Sequence, residues 1–174
     1  METPENSSST TPAAMSNADI ARVLDRIADL LEFKNENFLK VRSYRLAGTA
    51  IGDLDLPVTD AVAQGGANEL QKIPGIGKGI SAEIVEMVRT GTSPYFDELT
   101  RDLPVSVLDL RRVSGVGLKT AQVLFTDFGI KSLEQLKTFA EGGGLLSVPG
   151  IGEKTVERIK RSLTRLESER HTTP

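Results

Sequence analysis

Residues 70–88 read LQKIPGIGKGISAEIVEMV, and the same pattern returns as LRRVSGVGLKTAQVLF at 110–125 and as LLSVPGIGEKTVERIKRSL at 145–163. Each copy has an apolar residue, then Pro or Ser, then an apolar residue between two glycines, and then a stretch with helical spacing. A single Gly-x-Gly is common in proteins and is weak evidence for any particular structure. Three copies in one frame predict three pairs of helices, each pair joined by a tight hairpin.

The two glycines of each copy suit a sharp turn, because residues without a Cβ adopt positive φ and leave the backbone open to another molecule. The pairs are Gly75 and Gly77, Gly115 and Gly117, and Gly150 and Gly152. The apolar residue between the glycines is predicted to point inward and hold the two helices together: Ile76, Val116 and Ile151.

The helix after each hairpin should begin with N–H groups that have no intrahelical acceptor and with the positive end of its dipole, which together attract an anion. A lysine lies one or two residues beyond each second glycine, where it can reinforce a phosphate contact. These residues are Lys78, Lys119 and Lys154. We therefore expect binding to the DNA backbone with little sequence preference.

The rest of the chain also reads as helical. Asn17 is the expected N-cap of an amphipathic helix, a second helix is expected over Asn37–Ile51, and a weaker third over Val58–Ala63. No segment has a strand pattern, so the fold class is all-α: a small helical bundle followed by tandem hairpins. The expected organisation is a disordered tail at 1–16, a helical domain with the first hairpin at 17–92, a tandem hairpin domain at 93–166, and a disordered tail at 167–174.

The composition excludes several classes of function. The 174 residues contain no Cys and a single His, His171 in a polar tail, which argues against thiolate zinc sites, disulfides and Cys nucleophiles. No run of about 18 apolar residues and no signal-peptide pattern is visible, so a cytoplasmic location without membrane contact is expected, at the nucleoid in a bacterium. Because the formal net charge is −3, DNA contacts must come from local basic faces or backbone amides.

The repeated motif resembles the helix-hairpin-helix of DNA repair proteins. From about residue 17 to 165 the chain also resembles the N-terminal region of bacterial family X DNA polymerases, with its small lyase-type domain and the hairpin-bearing domain after it. The segments that carry the resemblance are NADIARVLDRIADLLEFKNENFLKVRSYRLA, IPGIGKGI, RVSGVGLKTAQVLF and SVPGIGEKT. The resemblance implies a role in repair or recombination, on gapped, nicked or single-stranded DNA, alongside a protein partner of such a pathway.

The resemblance also implies particular site residues. Lys40 and Tyr44 are expected to face a 5′ phosphate or the sugar behind it. No cofactor is required, but Na⁺ or K⁺ is expected at hairpin carbonyls and would bridge to phosphate. The carbonyls are those of Ile73, Ile76, Val113 and Val116.

Catalysis is not expected. The polymerases carry their catalytic carboxylates in a later palm domain, and often a phosphoesterase domain after it, and this sequence ends before either would begin. Their lyase activity needs a Lys amine that forms a Schiff base with the sugar aldehyde. The position of that Lys falls on Glu83, and that of a neighbouring phosphate-contacting Lys falls on Gly79, which leaves Lys40 and Lys78. A DNA-binding module is thus preferred over two alternatives, a 5′-deoxyribose-phosphate lyase and a helical protein-interaction module.

Two basic groups are open to more than one interpretation. The set Lys34, Lys40, Arg42 and Arg45 is most simply a solvated face, and the alternative for Arg45 is an internal ion pair. On the last helix, Glu153 and Glu157 accompany five cations, so a mixed-charge surface is the ordinary explanation and a basic stripe that extends the DNA footprint is the alternative. The cations are Lys154, Arg158, Lys160, Arg161 and Arg165.

Two segments resemble known binding motifs but lack essential parts of them. The run PGIGEKT lacks the four-residue spacer and the preceding strand of a phosphate loop. Asp53 and Asp55 form one short Asp-x-Asp in a turn, without a third carboxylate in a matching context.

The N-terminal segment has almost no apolar side chains to bury. Deletion of residues 2–15 should therefore leave the thermal unfolding midpoint nearly unchanged, as measured by circular dichroism. A large drop in the midpoint would show that the domain begins earlier than the sequence indicates.

Overall fold

The computed structural model describes residues 14–172, and within that range the chain is helical with no strand, which confirms the all-α prediction. The α-helices are α1 Asn17–Phe33, α2 Phe38–Gly52, α3 Val58–Gly65, α4 Ala67–Leu70, α5 Lys78–Thr90, α6 Pro94–Asp102, α7 Leu118–Thr126, α8 Leu133–Glu141 and α9 Glu153–Thr172. Two 3₁₀ segments, Val105–Arg112 and Gly144–Ser147, precede the second and third hairpins. Most of the predicted tail at 1–16 lies outside the described residues.

The described chain divides into two compact units. The first unit contains the residues up to Ala28 together with Leu39–Asp97, and the second contains Asp29–Phe38 together with the residues from Glu98 onward. The sequence predicts one division between residues 92 and 93, so the assignment of Asp29–Phe38 to the second unit is a correction. No described helix combines the length and apolar character that crossing a membrane requires.

Contacts over long sequence separations explain that assignment. The carbonyl of Phe33 accepts a hydrogen bond from Gln122 Nε2 at 2.7 Å, and the Phe33 ring packs edge-on against Phe125 with 5.9 Å between ring centroids. Glu32 forms an ion pair with Arg111 at 2.8 Å. These partners lie 79 to 92 residues apart along the chain, so no local pattern encodes them.

Helix α1 is capped by Ser16 rather than by Asn17. Ser16 Oγ accepts from the Asp19 amide at 3.1 Å, and Asp19 Oδ2 accepts from the Ser16 amide at 3.1 Å, which is a reciprocal capping box. The hydrogen bonds from Ser16 hold the pKa of the Asp19 carboxyl below its usual value. The Asn17 prediction is therefore wrong by one residue.

The Asn17 side chain makes a tertiary contact instead. Its Oδ1 accepts from the Val58 amide at 2.7 Å, and its Nδ2 donates to the Leu56 carbonyl at 2.9 Å. The side chain thereby satisfies polar backbone groups where the loop after α2 enters α3. Asn17 thus joins the beginnings of α1 and α3 within the first unit.

The predicted apolar face of α1 is buried, with Ile20, Leu24 and Ile27 fully excluded from solvent. A close approach between α1 and α2 accompanies this packing. A Cβ on Gly48 of α2 would lie 2.6 Å from Asp25 Oδ1 and 3.3 Å from the Ala21 carbonyl oxygen, so this position accepts only glycine without rearrangement.

In the second unit, α9 continues through Thr172, which corrects the predicted tail at 167–174 for the residues that the structure describes. Helix α8, which the sequence analysis does not identify, supplies the partners that hold the last turns. Lys137 Nζ lies 2.8 Å from Glu167 Oε2, and Glu134 pairs with Arg170. The hydrogen bond from Lys137 lowers the pKa of Glu167 below its usual value.

The Asn17 contact gives a stability test. Asn17→Ala removes three side-chain hydrogen bonds, with Leu54, Leu56 and Val58, and leaves the Val58 amide without its side-chain acceptor. We expect the free energy of unfolding to fall by about 1–3 kcal/mol, measured by denaturant titration. Asn68→Ala, at an exposed position of α4, is the matched control and should change it by less than about 0.5 kcal/mol. Equal effects of the two substitutions would contradict the assigned role of Asn17.

Candidate nucleic-acid interface

The three hairpins share one backbone geometry. Their first glycines have positive φ: Gly75 at 93°, Gly115 at 100° and Gly150 at 82°. Residues with a Cβ rarely adopt this region, which explains the glycine at each turn. A backbone hydrogen bond closes each turn, from Ile76 to Ile73 at 3.2 Å, from Val116 to Val113 at 3.0 Å, and from Ile151 to Val148 at 3.2 Å.

The central residue of each hairpin points into the core, as predicted. Ile76 and Val116 are each 5% exposed, and Ile151 is 8% exposed. Because the central side chain is buried, it fixes the turn to the core, while both flanking glycines of the first and third hairpins remain exposed.

The second glycines have a different role. Gly77 (φ −91°, ψ 179°) and Gly117 (φ −85°, ψ −178°) are extended residues at the N-caps of α5 and α7, a conformation that any residue adopts. A Cβ on either residue, or on Gly152, would meet nothing within 4 Å. The structure therefore requires the first glycine for the turn, whereas the second leaves open space in front of the helix.

That open space faces backbone amides at the helix N-terminus. The first helical hydrogen bond of α5 runs from Ser81 to Gly77 at 2.9 Å, and that of α7 runs from Ala121 to Gly117 at 2.9 Å. The amides of the first turn precede these bonds and have no intrahelical acceptor. Neither N-cap supplies a side-chain acceptor, and Lys78 and Lys119 are exposed beside the open glycines.

The third hairpin differs in its charge. Helix α9 begins with Glu153, whose exposed carboxylate lies at the positive end of the helix dipole. A carboxylate there interacts favourably with the dipole and repels an external anion. The neighbouring Lys154 is also exposed, so the local charges offset each other. The first two hairpins are therefore the stronger candidates for an anion site.

The second hairpin is anchored on α9. The Ser114 amide donates to the hydroxyl of buried Ser162 at 2.9 Å. A Cβ on Gly115 would lie 3.1 Å from Ile159 Cγ1. Gly115 is thus required for packing as well as for positive φ, whereas Gly117 is open.

A hydrogen-bonded cluster occupies the position expected for the lyase nucleophile. Glu83 accepts through Oε2 from the Tyr44 hydroxyl at 2.9 Å and through Oε1 from the Ser93 hydroxyl at 2.9 Å. The Tyr44 ring stacks on Tyr95 with 5.9 Å between centroids, and Lys40 Nζ lies 5.2 Å from the Tyr95 ring centroid. Burial, and then the nearby Glu83 carboxylate, raise the pKa of the Tyr44 hydroxyl well above its usual value.

This cluster changes the interpretation of Tyr44. Its side chain is buried, and its hydroxyl proton already serves Glu83, so it has no proton to donate to a phosphate. We therefore remove Tyr44 from the predicted DNA contacts. Lys40 is exposed and remains a candidate. Ser93 and Tyr95 could not be identified from the sequence, since neither belongs to a recognisable motif.

The predicted cation site depends on carbonyl groups. Those of Ile73 and Val113 each accept one hairpin hydrogen bond, which leaves the second lone pair of each oxygen for a monovalent ion. Within residues 14–172 no three acidic or histidine side chains come together as a metal site. The Na⁺ or K⁺ site at Ile73, Ile76, Val113 and Val116 stays a prediction.

Comparisons with known proteins identify the hairpin regions. Residues 15–93 match the family described as "Helix-hairpin-helix domain", and residues 107–165 match "SAM-like Helix-hairpin-helix tandem". The predicted helix-hairpin-helix character is thus confirmed in both halves of the chain. The matches also agree with the two regions in which the three hairpins lie.

Named relatives match over different lengths. The chain is 29% identical over 149 residues to the DNA polymerase/3′-5′ exonuclease PolX of Bacillus subtilis, which covers 86% of this chain and 25% of that protein. It is 33% identical over 87 residues to the Holliday junction branch migration complex subunit RuvA of Albidiferax ferrireducens, which covers 50% of this chain and 46% of that one. The chain therefore spans a quarter to a half of these relatives, and the predicted resemblance to the N-terminal region of the polymerases is confirmed.

Proposed function

We propose that this chain, which carries helix-hairpin-helix domains in both halves, binds the sugar-phosphate backbone of DNA with little sequence preference. The observation that carries the proposal is the pair of open N-cap glycines, Gly77 and Gly117, in front of amides without intrahelical acceptors. A phosphate oxygen can approach these amides directly because no side chain lies between them.

Three contributions add at each of the first two hairpins. The amides donate hydrogen bonds to the phosphate, the helix dipole favours its negative charge, and Lys78 or Lys119 adds a flexible cation. None of these groups reads a base edge, so the contacts position the protein without selecting a sequence. This accounts for DNA binding by a chain whose formal net charge is −3.

The relatives suggest which DNA to test. One is named as a polymerase and exonuclease and the other as a subunit acting at Holliday junctions. Repair or recombination of interrupted or branched DNA is therefore the proposed setting, with gapped, nicked and single-stranded DNA as candidate ligands. A protein partner from such a pathway is part of the same proposal.

Binding without lyase chemistry is the second part of the proposal. Glu83 is a carboxylate with both oxygens engaged by hydroxyl groups, and a carboxylate cannot form a Schiff base. The neighbouring Tyr44 hydroxyl donates its proton to Glu83 in one of these hydrogen bonds. These contacts favour a structural role for the region that corresponds to the lyase site.

Blocking the second glycines tests the hairpin mechanism. Gly77→Val with Gly117→Val places branched side chains in the open space while keeping an ordinary backbone conformation. We expect at least a tenfold loss of affinity for gapped duplex DNA, measured by fluorescence anisotropy at low salt, because the amides become inaccessible. Lys78→Ala should weaken binding less and lower the salt slope by at most about one unit.

The matched control is Gly77→Ala with Gly117→Ala, which adds only a Cβ at the same positions and should have a smaller effect. Helical content and thermal midpoint should be retained in both double variants. Unchanged affinity of the folded valine variant would refute phosphate binding at these hairpins.

Borohydride trapping tests the absence of lyase chemistry. Wild-type protein incubated with an incised abasic duplex and sodium borohydride should give little or no covalent adduct on a denaturing gel, because Glu83 stands where the amine is required. Strong trapping that disappears in Lys40→Ala or Lys78→Ala would instead establish a lyase with a relocated nucleophile.

A further inference from the structure

Helix α9 carries four cations along one side. Lys154, Arg158, Arg161 and Arg165 recur at intervals of four, three and four residues, which places them within a strip about 60° wide and roughly 16 Å long. All four side chains are exposed. We call these residues the α9 basic strip.

The strip has few acidic partners. Among residues 14–172, no carboxylate lies within ion-pair distance of Arg158 or Arg161, and Arg165 has only a 3.8 Å contact with exposed Glu169. The cation of α9 that pairs with an acidic residue of another helix is Arg170, which pairs with Glu134 of α8 and lies outside the strip. Glu153 and Glu157, on which the mixed-charge interpretation depends, are also exposed on this helix, but among residues 14–172 neither forms an ion pair with a cation of the strip. The basic-strip interpretation is therefore preferred.

The strip borders the second hairpin. A Cβ on Gly115 would lie 3.6 Å from Arg158 Cδ, so the Arg158 side chain covers this glycine. A cleft of about 240 Å³ lies between the hairpin and the helix. The residues that line it are Ser114, Arg158, Arg161, Ser162 and Arg165. The hydrogen bond from Ser114 to Ser162 fixes the hairpin at this cleft.

We infer that the α9 basic strip is a second phosphate-binding surface, for the DNA strand that contacts the hairpin at Gly117. This inference rests on the proposed function and extends it to a surface outside the hairpins. Four like charges in one strip repel each other, and a polyanion relieves that repulsion. Guanidinium groups also bind phosphate through paired hydrogen bonds.

One DNA strand therefore contacts both surfaces. One of its phosphates binds the amides of the second hairpin, and neighbouring phosphates bind the α9 basic strip. DNA is the occupant that fits, because the strip is continuous with an anion site that binds phosphate through backbone amides. An acidic protein surface would lack that continuity with the hairpin.

The test is the salt dependence of binding to a labelled duplex with a single gap. Arg158→Gln with Arg161→Gln and Arg165→Gln should reduce the slope of log K against log salt by about two to three units and weaken low-salt binding at least tenfold. The corresponding triple Lys variant keeps the charges and should retain most of the slope.

The matched control is Arg101→Gln with Lys131→Gln and Lys160→Gln, which removes the same charge from exposed positions of the same unit. Lys160 is on α9 but lies about 100° around the helix from Arg161, outside the strip. It should change the slope by less than about one unit. Thermal midpoints of all variants establish that they fold.

A strip variant that matches this control would overturn the inference, and the proposed function would stand if Gly77→Val with Gly117→Val still lost binding. Failure of the wild-type protein to bind any of the DNA forms at low salt would instead defeat the proposed function itself.

Discussion

The structure depends on one constraint, the burial of a single apolar side chain between two glycines at each hairpin. Ile76, Val116 and Ile151 are inside, so each turn is fixed to the core and cannot swing away from the helix that follows it. The positive φ of the preceding glycine makes that inward direction possible. The start of the next helix is thereby placed beside an open glycine, where the first-turn amides have no intrahelical acceptor. Packing and the proposed binding thus have the same cause.

The elements with strong local patterns could be predicted from the sequence. The repeated glycine pairs identify the hairpins, and the apolar spacing from Ile20 identifies α1. The helices α6 and α8 are not predicted because each has only nine residues, which is too short to establish a helical period. The extension of α9 was missed because residues beyond 166 are polar, and ion pairs from α8 to Glu167 and Arg170 hold them. The partners of these contacts lie 30 and 36 residues apart and leave no local signal in the sequence.

In the candidate site, too, some features could be predicted from the sequence and others could not. The glycine types and the lysines after them could be identified from spacing, but their separate roles could not. The φ angles distinguish a turn glycine at Gly75 from an access glycine at Gly77. Tyr44 was assigned to DNA by resemblance, whereas the structure commits its hydroxyl to Glu83. Glu83 changes the role of its neighbour because a carboxylate accepts a hydrogen bond from the Tyr44 hydroxyl, whereas a lysine ammonium at this position would donate one to it.

Helix α9 has a weakened candidate anion site at its N-terminus and a second candidate along its side. Its first residue, Glu153, neutralises part of the positive end of the dipole, so its N-terminus is a weaker candidate for a phosphate site than those of α5 and α7. The basic strip then begins at Lys154 and continues along the side of the helix to Arg165. Because Arg158 covers Gly115, the side of α9 and the second hairpin form one continuous surface. The third hairpin therefore contributes to the proposed interface mainly by placing the side of its second helix beside the second hairpin, and less through its own turn.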